Sequence, residues 1–273
     1  KLSLLPSSIT TAIPDILLRS SEYQKAAVLD SVGQTSASVS DPLESIVNIL
    51  CTYTTPTYVR TTTGTGFFID PDGVIMTNAH VAQFLLLENR NEGGSTECII
   101  RSGNPAIPQY KAKLLYISPA WVQQNVGILN EEIPMGTGER DYALIYASSR
   151  VDAQPLPAVF PALKYDSQLL SLNTRGNTVT AAGYPASELL ARGPEVDLFP
   201  RKAETTISEL YTFGSNHADI FSIRGTIVGS EGASGGPIVD SSGTVIGMIT
   251  TRGADTIDGA GSLRAITLAH IES

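Results

Sequence analysis

The hexapeptide Gly232-Ala233-Ser234-Gly235-Gly236-Pro237 lies between two apolar runs that have the composition of β-strands. Its glycines allow positive φ angles and close approach of neighbouring backbone, so the segment is predicted to form a tight turn. Such a turn can present the Ser234 hydroxyl to a cleft and direct nearby N–H groups toward one point. A nucleophile beside an oxyanion hole is what acyl transfer requires. A serine hydroxyl also needs a base, so the rest of the chain must supply a histidine and an acid.

The overall composition is that of an ordinary soluble chain. Its 273 residues are 42% hydrophobic and 16% charged, and the formal net charge is −9. This acidic balance argues against nucleic acid and anionic membrane surfaces as partners. No apolar run approaches the roughly 18 residues of a membrane-spanning helix. The chain begins with Lys1 rather than Met, which leaves open removal by processing or by design; a lost signal peptide would fit a secreted or periplasmic protein.

Short runs rich in Val, Ile and Thr, separated by Gly and Pro turns, predict an all-β protein. They fall into two blocks of six, joined by a proline-spaced connector at residues 155–161. The first block has runs at residues 46–51, 63–69, 74–77, 98–100, 110–117 and 141–146. The second has runs at residues 178–185, 205–210, 220–228, 237–239, 245–250 and 263–268. This pattern predicts two small closed barrels, at residues 45–154 and 155–273, with a cleft between them.

Two segments fall outside this pattern. Residues 1–44 are predicted to form an N-terminal arm with short helices within 14–30 and a linker at 33–42. The arm could pack on the barrels, mediate oligomer assembly or form a partly ordered tail. Residues 118–140 have no clear period and directly precede Asp141, so they are either a lid over the cleft or a surface insertion.

His80 follows a predicted strand, and Asp141 is predicted to open another. The order His80, Asp141, Ser234 along the chain is that of chymotrypsin-type enzymes, and it differs from the order in subtilisins and α/β-hydrolases. The other histidines, His217 and His270, lie in a polar loop and near the terminus, where surface or structural roles are expected.

Six segments together resemble the trypsin-like serine proteases, and the Deg/HtrA-type branch most of all. They are Gly64-Thr65-Gly66-Phe67-Phe68-Ile69, residues 72–81 around His80, Asp141-Tyr142-Ala143-Leu144, Ala182-Gly183-Tyr184-Pro185, the hexapeptide 232–237 and residues 243–248. The resemblance covers residues 45–270 and implies a chymotrypsin-like double barrel that cleaves a polypeptide substrate without a cofactor. It also implies that the first barrel supplies His80 and Asp141 and the second supplies Ser234.

The resemblance implies a role for each matched residue. Ser234 attacks the carbonyl, His80 accepts its proton, and Asp141 orients the imidazole. The N–H groups of Gly232 and Ser234 form the oxyanion hole. Ala233 stands where digestive trypsin-like enzymes carry the acid that receives a new N-terminus, so activation of that kind is not expected. No PDZ domain follows the second barrel, so we expect either a bare protease domain or a shortened chain.

The residues that would contact substrate are also implied by the resemblance. Thr250, Thr251 and Arg252 match the strand that pairs with the substrate backbone. Val228 matches the base of the primary specificity pocket, and Gly229 lies beside it. Because neither is acidic, we expect cleavage after small or aliphatic residues rather than after Lys or Arg.

The two cysteines, Cys51 and Cys98, are too few for a zinc site without histidine partners, which leaves buried thiols or a disulfide. In the family the first and fourth strands of the first barrel are neighbours, so the resemblance implies a Cys51–Cys98 disulfide and an oxidising compartment. The acidic residues lack the spacing of calcium ligands, and no metal site is predicted.

Two other functions remain open at this stage. A protein with the protease fold could bind peptides without cutting them, since an intact triad does not guarantee a formed oxyanion turn. An esterase would use the same residues, but strand pairing by residues 250–252 disfavours it.

Overall fold

The computed structural model describes residues 38–57, 59–88, 94–125, 138–167, 170–193, 196–224, 228–229, 231–252 and 262–272. The helices predicted within residues 14–30 lie outside these ranges. So does the central part of the segment 118–140, at residues 126–137.

The described residues are mostly strands. The strands are β1 Ser38–Val39, β2 Ile46–Thr54, β3 Val59–Asp70, β4 Val74–Thr77, β5 Ser95–Ser102, β6 Ile107–Ile117, β7 Ala143–Arg150, β8 Ala162–Leu163, β9 Thr178–Gly183, β10 Arg201–Tyr211, β11 Ile220–Ile223, β12 Pro237–Val239, β13 Val245–Arg252 and β14 Leu263–Thr267. The α-helices are α1 Pro42–Ser45, α2 Ala79–Ala82, α3 Pro119–Gln124, α4 Ser187–Arg192 and α5 Leu268–Glu272, with 3₁₀ turns at Gln83–Leu87 and Leu172–Thr174.

The first barrel is closed in the order β2-β3-β4-β7-β6-β5, and every neighbouring pair is antiparallel. Its strands follow the period of two expected where one face of a sheet is buried. In β7, for example, Ala143, Ile145 and Ala147 are buried while Leu144 and Tyr146 are only half-buried. The six strands predicted for this block are therefore confirmed, and they form a barrel around a core of aliphatic and aromatic side chains.

The second barrel is closed in the order β10-β11-β14-β13-β12-β9 and is also antiparallel. Its core contains Val179, Ile207, Phe221 and Ile238. Two strand limits were wrong. β10 begins at Arg201 rather than at residue 205, because it pairs along the whole of β9. The strand predicted at residues 220–228 ends at Ile223, where its pairing with β14 stops. The predicted all-β double barrel is confirmed.

Buried side chains from both barrels meet in one apolar cluster. Ile46, Phe67 and Met76 come from the first barrel, and Val239 and Met248 come from the second. Because interiors are close-packed, this shared cluster sets the position of one barrel against the other. The cleft residues contributed by the two barrels are therefore held in a defined relation.

The part of the predicted arm that the structure describes packs on the barrels. Strand β1 pairs in parallel with β8, and Asp41 caps α1 by accepting a hydrogen bond from Leu43 N at 3.0 Å. Asp41 also accepts a hydrogen bond from Lys202 Nζ at 2.8 Å. Of the three roles left open for the arm, packing on the body is the one that residues 38–44 take.

Cys51 and Cys98 lie directly opposite each other on the neighbouring strands β2 and β5. Their sulfur atoms are joined, with an S–S distance of 2.01 Å and a sequence separation of 47. Both side chains are buried. The disulfide therefore joins two strands that flank the first barrel's core.

Removal of this disulfide should destabilise the chain. A cross-link that closes a loop of this length typically contributes about 2–4 kcal/mol, so the double variant Cys51→Ala/Cys98→Ala should lose about that much free energy of unfolding in urea. Reduced wild-type protein keeps both side chains and should show a similar loss, while the variant should not respond to the reductant. Equal stability of oxidised and reduced wild type would contradict this expectation.

Within the described residues, no helix is long and apolar enough to cross a membrane.

Candidate active site

His80 lies in α2, a single helical turn that follows directly after β4. Its backbone N–H donates to Asp141 Oδ1 at 2.9 Å, and its ring Nδ1 lies 2.7 Å from Asp141 Oδ2. Gln83 Nε2 donates to the His80 carbonyl at 2.8 Å. The backbone and the ring are thus both fixed, and the bond from Nδ1 to a carboxylate leaves Nε2 as the basic nitrogen.

Asp141 is fully buried, and three donors converge on its carboxylate. Besides the two contacts from His80, Thr250 Oγ1 donates to Asp141 Oδ2 at 2.8 Å. Burial alone would favour the neutral acid, but the charge of His80 and these hydrogen bonds hold the pKa of Asp141 below its usual value. The buried group is therefore a carboxylate that accepts from both barrels.

Asp141 does not open the strand as predicted, because β7 begins two residues later at Ala143. The preceding residue, Arg140, has φ 55°, a left-handed conformation that bends the chain sharply into the site. Asn78 Nδ2 then donates to the Asp141 carbonyl at 2.9 Å. This bend and this hydrogen bond aim the carboxylate at His80 instead of along a strand.

Ser234 lies in the predicted glycine turn, in which Gly232 has φ 91° and Gly235 has φ 87°. Its hydroxyl donates to the Thr250 carbonyl at 3.4 Å, near the long limit for a hydrogen bond. No hydrogen bond joins Ser234 to His80. Catalytic hydrogen bonds are often long or unformed without substrate, so this geometry is compatible with a resting nucleophile.

The turn is anchored through the carbonyls of four successive residues. The anchors are Ala186 N to Glu231 O at 2.6 Å, Thr65 Oγ1 to Gly232 O at 2.7 Å, Gly236 N to Ala233 O at 2.9 Å and Thr65 N to Ser234 O at 2.7 Å. In a trans peptide the C=O and N–H groups point in opposite directions. The N–H groups of Gly232 and Ser234 therefore point away from these anchors, and neither has an acceptor among the described residues.

The predicted substrate strand has an open edge. β12 pairs with β13 as far as Met248, and Ile249 then bonds to the glycine turn, so no strand of the described residues pairs with Thr250, Thr251 and Arg252 on that edge. Thr250 cannot offer its side chain to a substrate, because its hydroxyl is buried against Asp141. Only the backbone groups of Thr250 are available to a substrate. The side chains of Thr251 and Arg252 lie outside the described part of the chain.

Val228 is fully buried in the core of the second barrel, and Gly229 beside it is also buried. A Cβ atom added at Gly183 would lie 3.3 Å from Val228 Cγ1 and 3.5 Å from Ala233 Cα, so these three residues are neighbours. Val228 thus lies behind the glycine turn. The surrounding residues 225–227 and 230 are outside the described ranges.

The other two histidines share a different carboxylate. His270 Nδ1 lies 3.0 Å from Asp219 Oδ1, and His217 Nε2 lies 3.4 Å from the same oxygen. They form a separate cluster beside α5, in agreement with a structural role. Among the described residues, no group of three His, Cys, Asp or Glu side chains is placed to hold a metal ion.

Sequence reasoning missed two residues of the site. Thr65 was only part of a matching segment, and Asn78 only preceded His80. Both are fully buried polar side chains. A threonine between two glycines inside a predicted strand was the one available signal for Thr65, since glycine in a strand often marks close backbone approach.

Two antiparallel six-stranded barrels, with a buried His–Asp pair in one and a serine-bearing glycine turn in the other, define the chymotrypsin-like class of protein. A profile of the trypsin-like peptidase domain matches residues 64–248. The chain belongs to the trypsin-like peptidase family, as the sequence resemblance predicted.

The chain is also similar to solved protease structures. The active form of the Rv3671c protease from M. tuberculosis is 21% identical, with 85% of this chain and 79% of that chain covered and a TM-score of 0.48. An inactive form of Rv3671c from M. tuberculosis H37Rv, in which alanine replaces a serine, is 19% identical over 85% and 84%, with a TM-score of 0.45. A search of curated proteins gives no match. Membership of the trypsin-like peptidase family is thus shown by the match over residues 64–248.

Proposed function

We propose that this peptidase-family chain is a serine endopeptidase that works through Ser234, His80 and Asp141 and an acyl-enzyme. The observation that carries the proposal is the bond between His80 Nδ1 and the buried Asp141 carboxylate, 2.7 Å long. This carboxylate also accepts from Thr250 of the other barrel, so the pair lies where the two barrels meet.

The chemistry follows from this arrangement. With its Nδ1 proton directed at Asp141, His80 keeps a lone pair on Nε2 and takes the Ser234 proton as Oγ attacks the substrate carbonyl. The imidazolium that forms is stabilised by Asp141 and then gives its proton to the leaving amine. The acyl-enzyme is hydrolysed by a water molecule that His80 deprotonates in the same way.

The glycine turn would stabilise the oxyanion. The two N–H groups of Gly232 and Ser234 are held in place by carbonyl anchors and have no competing acceptor among the described residues. Pre-organised donors of this kind do not have to reorient during the reaction, and each typically lowers the barrier by a few kcal/mol.

Substrate recognition would use the open edge of β13, where an extended peptide can add as a strand to Thr250, Thr251 and Arg252. A substrate pocket near Val228 and Gly229 is also proposed, and it would take a small or aliphatic side chain because neither residue carries charge. We also infer a Deg/HtrA-type enzyme, since Ala233 replaces the acid of the digestive branch. The disulfide supports an oxidising compartment outside the cytosol.

The experiment that tests the proposal is labelling with a fluorophosphonate probe. Wild type should take the label and Ser234→Ala should not, while Ser241→Ala, which removes an exposed serine elsewhere in the chain, should be labelled normally. Unfolded casein should then be digested by wild type, with cleavage sites that follow small or aliphatic residues. Persistent labelling of Ser234→Ala would remove Ser234 from its role.

The alternative is a peptide-binding protein without catalysis. The contact from Ser234 Oγ to the Thr250 carbonyl favours it, because a hydroxyl committed to that acceptor is not shared with His80. Folded wild-type protein that takes no label but binds an extended peptide would establish this alternative.

A further inference from the structure

Thr65 joins the two barrels at the glycine turn. It lies in β3 of the first barrel, is fully buried, and uses both its backbone and its side chain. Its N–H donates to Ser234 O at 2.7 Å, and its hydroxyl donates to Gly232 O at 2.7 Å. The same hydroxyl accepts from Tyr184 N at 2.9 Å. One residue therefore supplies two of the four carbonyl anchors of the turn.

The turn needs such anchors because of its own composition. Gly232 has φ 91°, and glycine reaches many other backbone conformations at little cost. A side chain at this position would not fit, since an added Cβ would lie 2.5 Å from Ala186 Cβ and 2.8 Å from Tyr184 O. The local sequence thus cannot fix the peptide planes on either side of Gly232, and hydrogen bonds from outside the turn must do so.

The hydroxyl of Thr65 acts on the carbonyl that lies between the two candidate oxyanion donors. The Gly232 carbonyl belongs to the peptide that links Gly232 to Ala233, and the N–H groups of Gly232 and Ser234 belong to the peptides on either side. Rotation of the central peptide changes the φ and ψ angles of its neighbours. A bond that holds the Gly232 carbonyl therefore also holds the direction of both donors.

We propose that Thr65 is a positioning residue that keeps the oxyanion turn of the second barrel in its donor-forward conformation through its hydroxyl bond to the Gly232 carbonyl. The proposal rests on the proposed serine protease function. It assigns Thr65 no contact with substrate. The first barrel would then contribute to the oxyanion site as well as supplying His80 and Asp141.

The decisive variant is Thr65→Val, which keeps the shape of the side chain and the backbone bond to Ser234 but removes the hydroxyl. Gly232 O loses its donor and Tyr184 N loses its acceptor, both in buried surroundings. Thr65→Ser restores the hydroxyl. Thr267→Val is the matched control, because the buried Thr267 hydroxyl also donates to a carbonyl, Ala218 O at 2.9 Å, and accepts from an N–H, His270 N at 3.1 Å.

The readout is the second-order rate constant of fluorophosphonate labelling, measured with the fraction labelled at completion. Outright loss of an oxyanion donor slows catalysis roughly 10²- to 10³-fold, so loss of its positioning should slow labelling by about 10- to 100-fold in Thr65→Val. The final fraction should match wild type, since irreversibly misfolded protein would lower the labelled fraction without a change in rate. On a peptide taken from the casein digest, kcat should fall more than KM rises.

The control variants distinguish a change in the position of the oxyanion turn from a general loss of protein stability. Thr65→Ser should label at close to the wild-type rate, and Thr267→Val should do the same even if its Tm falls as far as that of Thr65→Val. The proposal is overturned if Thr65→Val labels as fast as wild type, if Thr65→Ser is as slow as Thr65→Val, or if Thr267→Val is equally slow.

A measurement without catalysis distinguishes this proposal from the function on which it rests. Hydrogen exchange of the segment that contains Gly235 N–H and Gly236 N–H, both hydrogen-bonded within the turn, should be faster in Thr65→Val than in wild type or Thr267→Val. If wild type takes no label, the proposed function fails, and exchange alone decides the role of Thr65. Unchanged exchange in that case overturns the positioning role.

Discussion

Replacement of Asp141 by asparagine should lower kcat/KM for a peptide substrate by about 10⁴-fold while the double barrel still forms. The carboxylate accepts from three donors, and both His80 Nδ1 and Thr250 Oγ1 bond to the same oxygen, Oδ2. Oδ1 accepts from the His80 backbone N–H and must remain an oxygen in the variant.

The asparagine NH₂ group is thereby forced into the Oδ2 position, where it faces the ring of His80. An NH₂ group donates and cannot accept, so the imidazole must turn its unprotonated nitrogen toward residue 141 and carry its proton on Nε2. A histidine in that tautomer cannot take the Ser234 proton. The loss should therefore appear in kcat and in the labelling rate much more than in KM.

The pH dependence of the free energy of unfolding provides a second test of the role of the Asp141 carboxylate. The folded-state pKa of Asp141 lies below its usual value, so its carboxylate contributes stability that is present above the unfolded-state pKa of about 3.9 and is lost as the pH falls through the folded value. The free energies of unfolding of wild type and Asp141→Asn should thus differ at neutral pH, and the difference should shrink only as the pH falls below about 3.9 and through the folded-state pKa. If kcat/KM of Asp141→Asn stays within about tenfold of the wild-type value, the tautomer of His80 does not depend on Asp141.

The strands could be predicted from the sequence because their information is local. Alternation of apolar and polar residues in β7, and Val- and Ile-rich runs elsewhere, report burial on one face of a sheet. The ends of β10 and β11 could not be predicted in this way. They depend on how far β9 and β14 continue beside them, and nothing within a strand reports the length of its neighbour.

The candidate site also depends on contacts between residues far apart in the sequence, which local patterns do not report. His80 and Asp141 could be proposed from the sequence because each lies in a segment that resembles the family. The Thr65 hydroxyl bonds to Gly232, which is 167 residues away, and to Tyr184, which is 119 residues away. No local pattern links a strand of one barrel to a turn of the other, so Thr65 could be assigned a role only after the barrels were placed together.

The Thr250 side chain makes a contact that the sequence did not predict. Thr250 was predicted as part of the substrate strand, and it does lie on β13 at the open edge. Its side chain, however, donates to Asp141 from across the cleft. Sequence reasoning assigns one role to one residue, whereas a strand residue has a backbone edge and a side chain that point in different directions.

Gly235→Ala should be the most destabilising single substitution in the turn, with a loss of about 3–5 kcal/mol in free energy of unfolding and no fluorophosphonate labelling. Gly235 has φ 87°, and an added Cβ would lie 1.9 Å from Thr65 O and 2.6 Å from Thr77 Oγ1. Thr65 O is a backbone atom of β3 and accepts the Thr77 hydroxyl at 2.7 Å, so it cannot move aside without breaking the sheet.

The control Gly176→Ala measures the cost of the backbone strain alone, without the steric clash expected in Gly235→Ala. Gly176 has φ 82°, close to that of Gly235, but an added Cβ there would meet nothing within 4 Å. This control should lose only the about 1–2 kcal/mol expected for a side chain in the left-handed region and should keep full labelling. Urea unfolding of the two variants therefore measures how tightly the turn is pressed against the first barrel. Equal losses of free energy of unfolding in the two variants would mean that β3 moves to make room for the added Cβ. In that case neither the anchors from Thr65 nor the close approach of the barrels could hold the oxyanion turn in place.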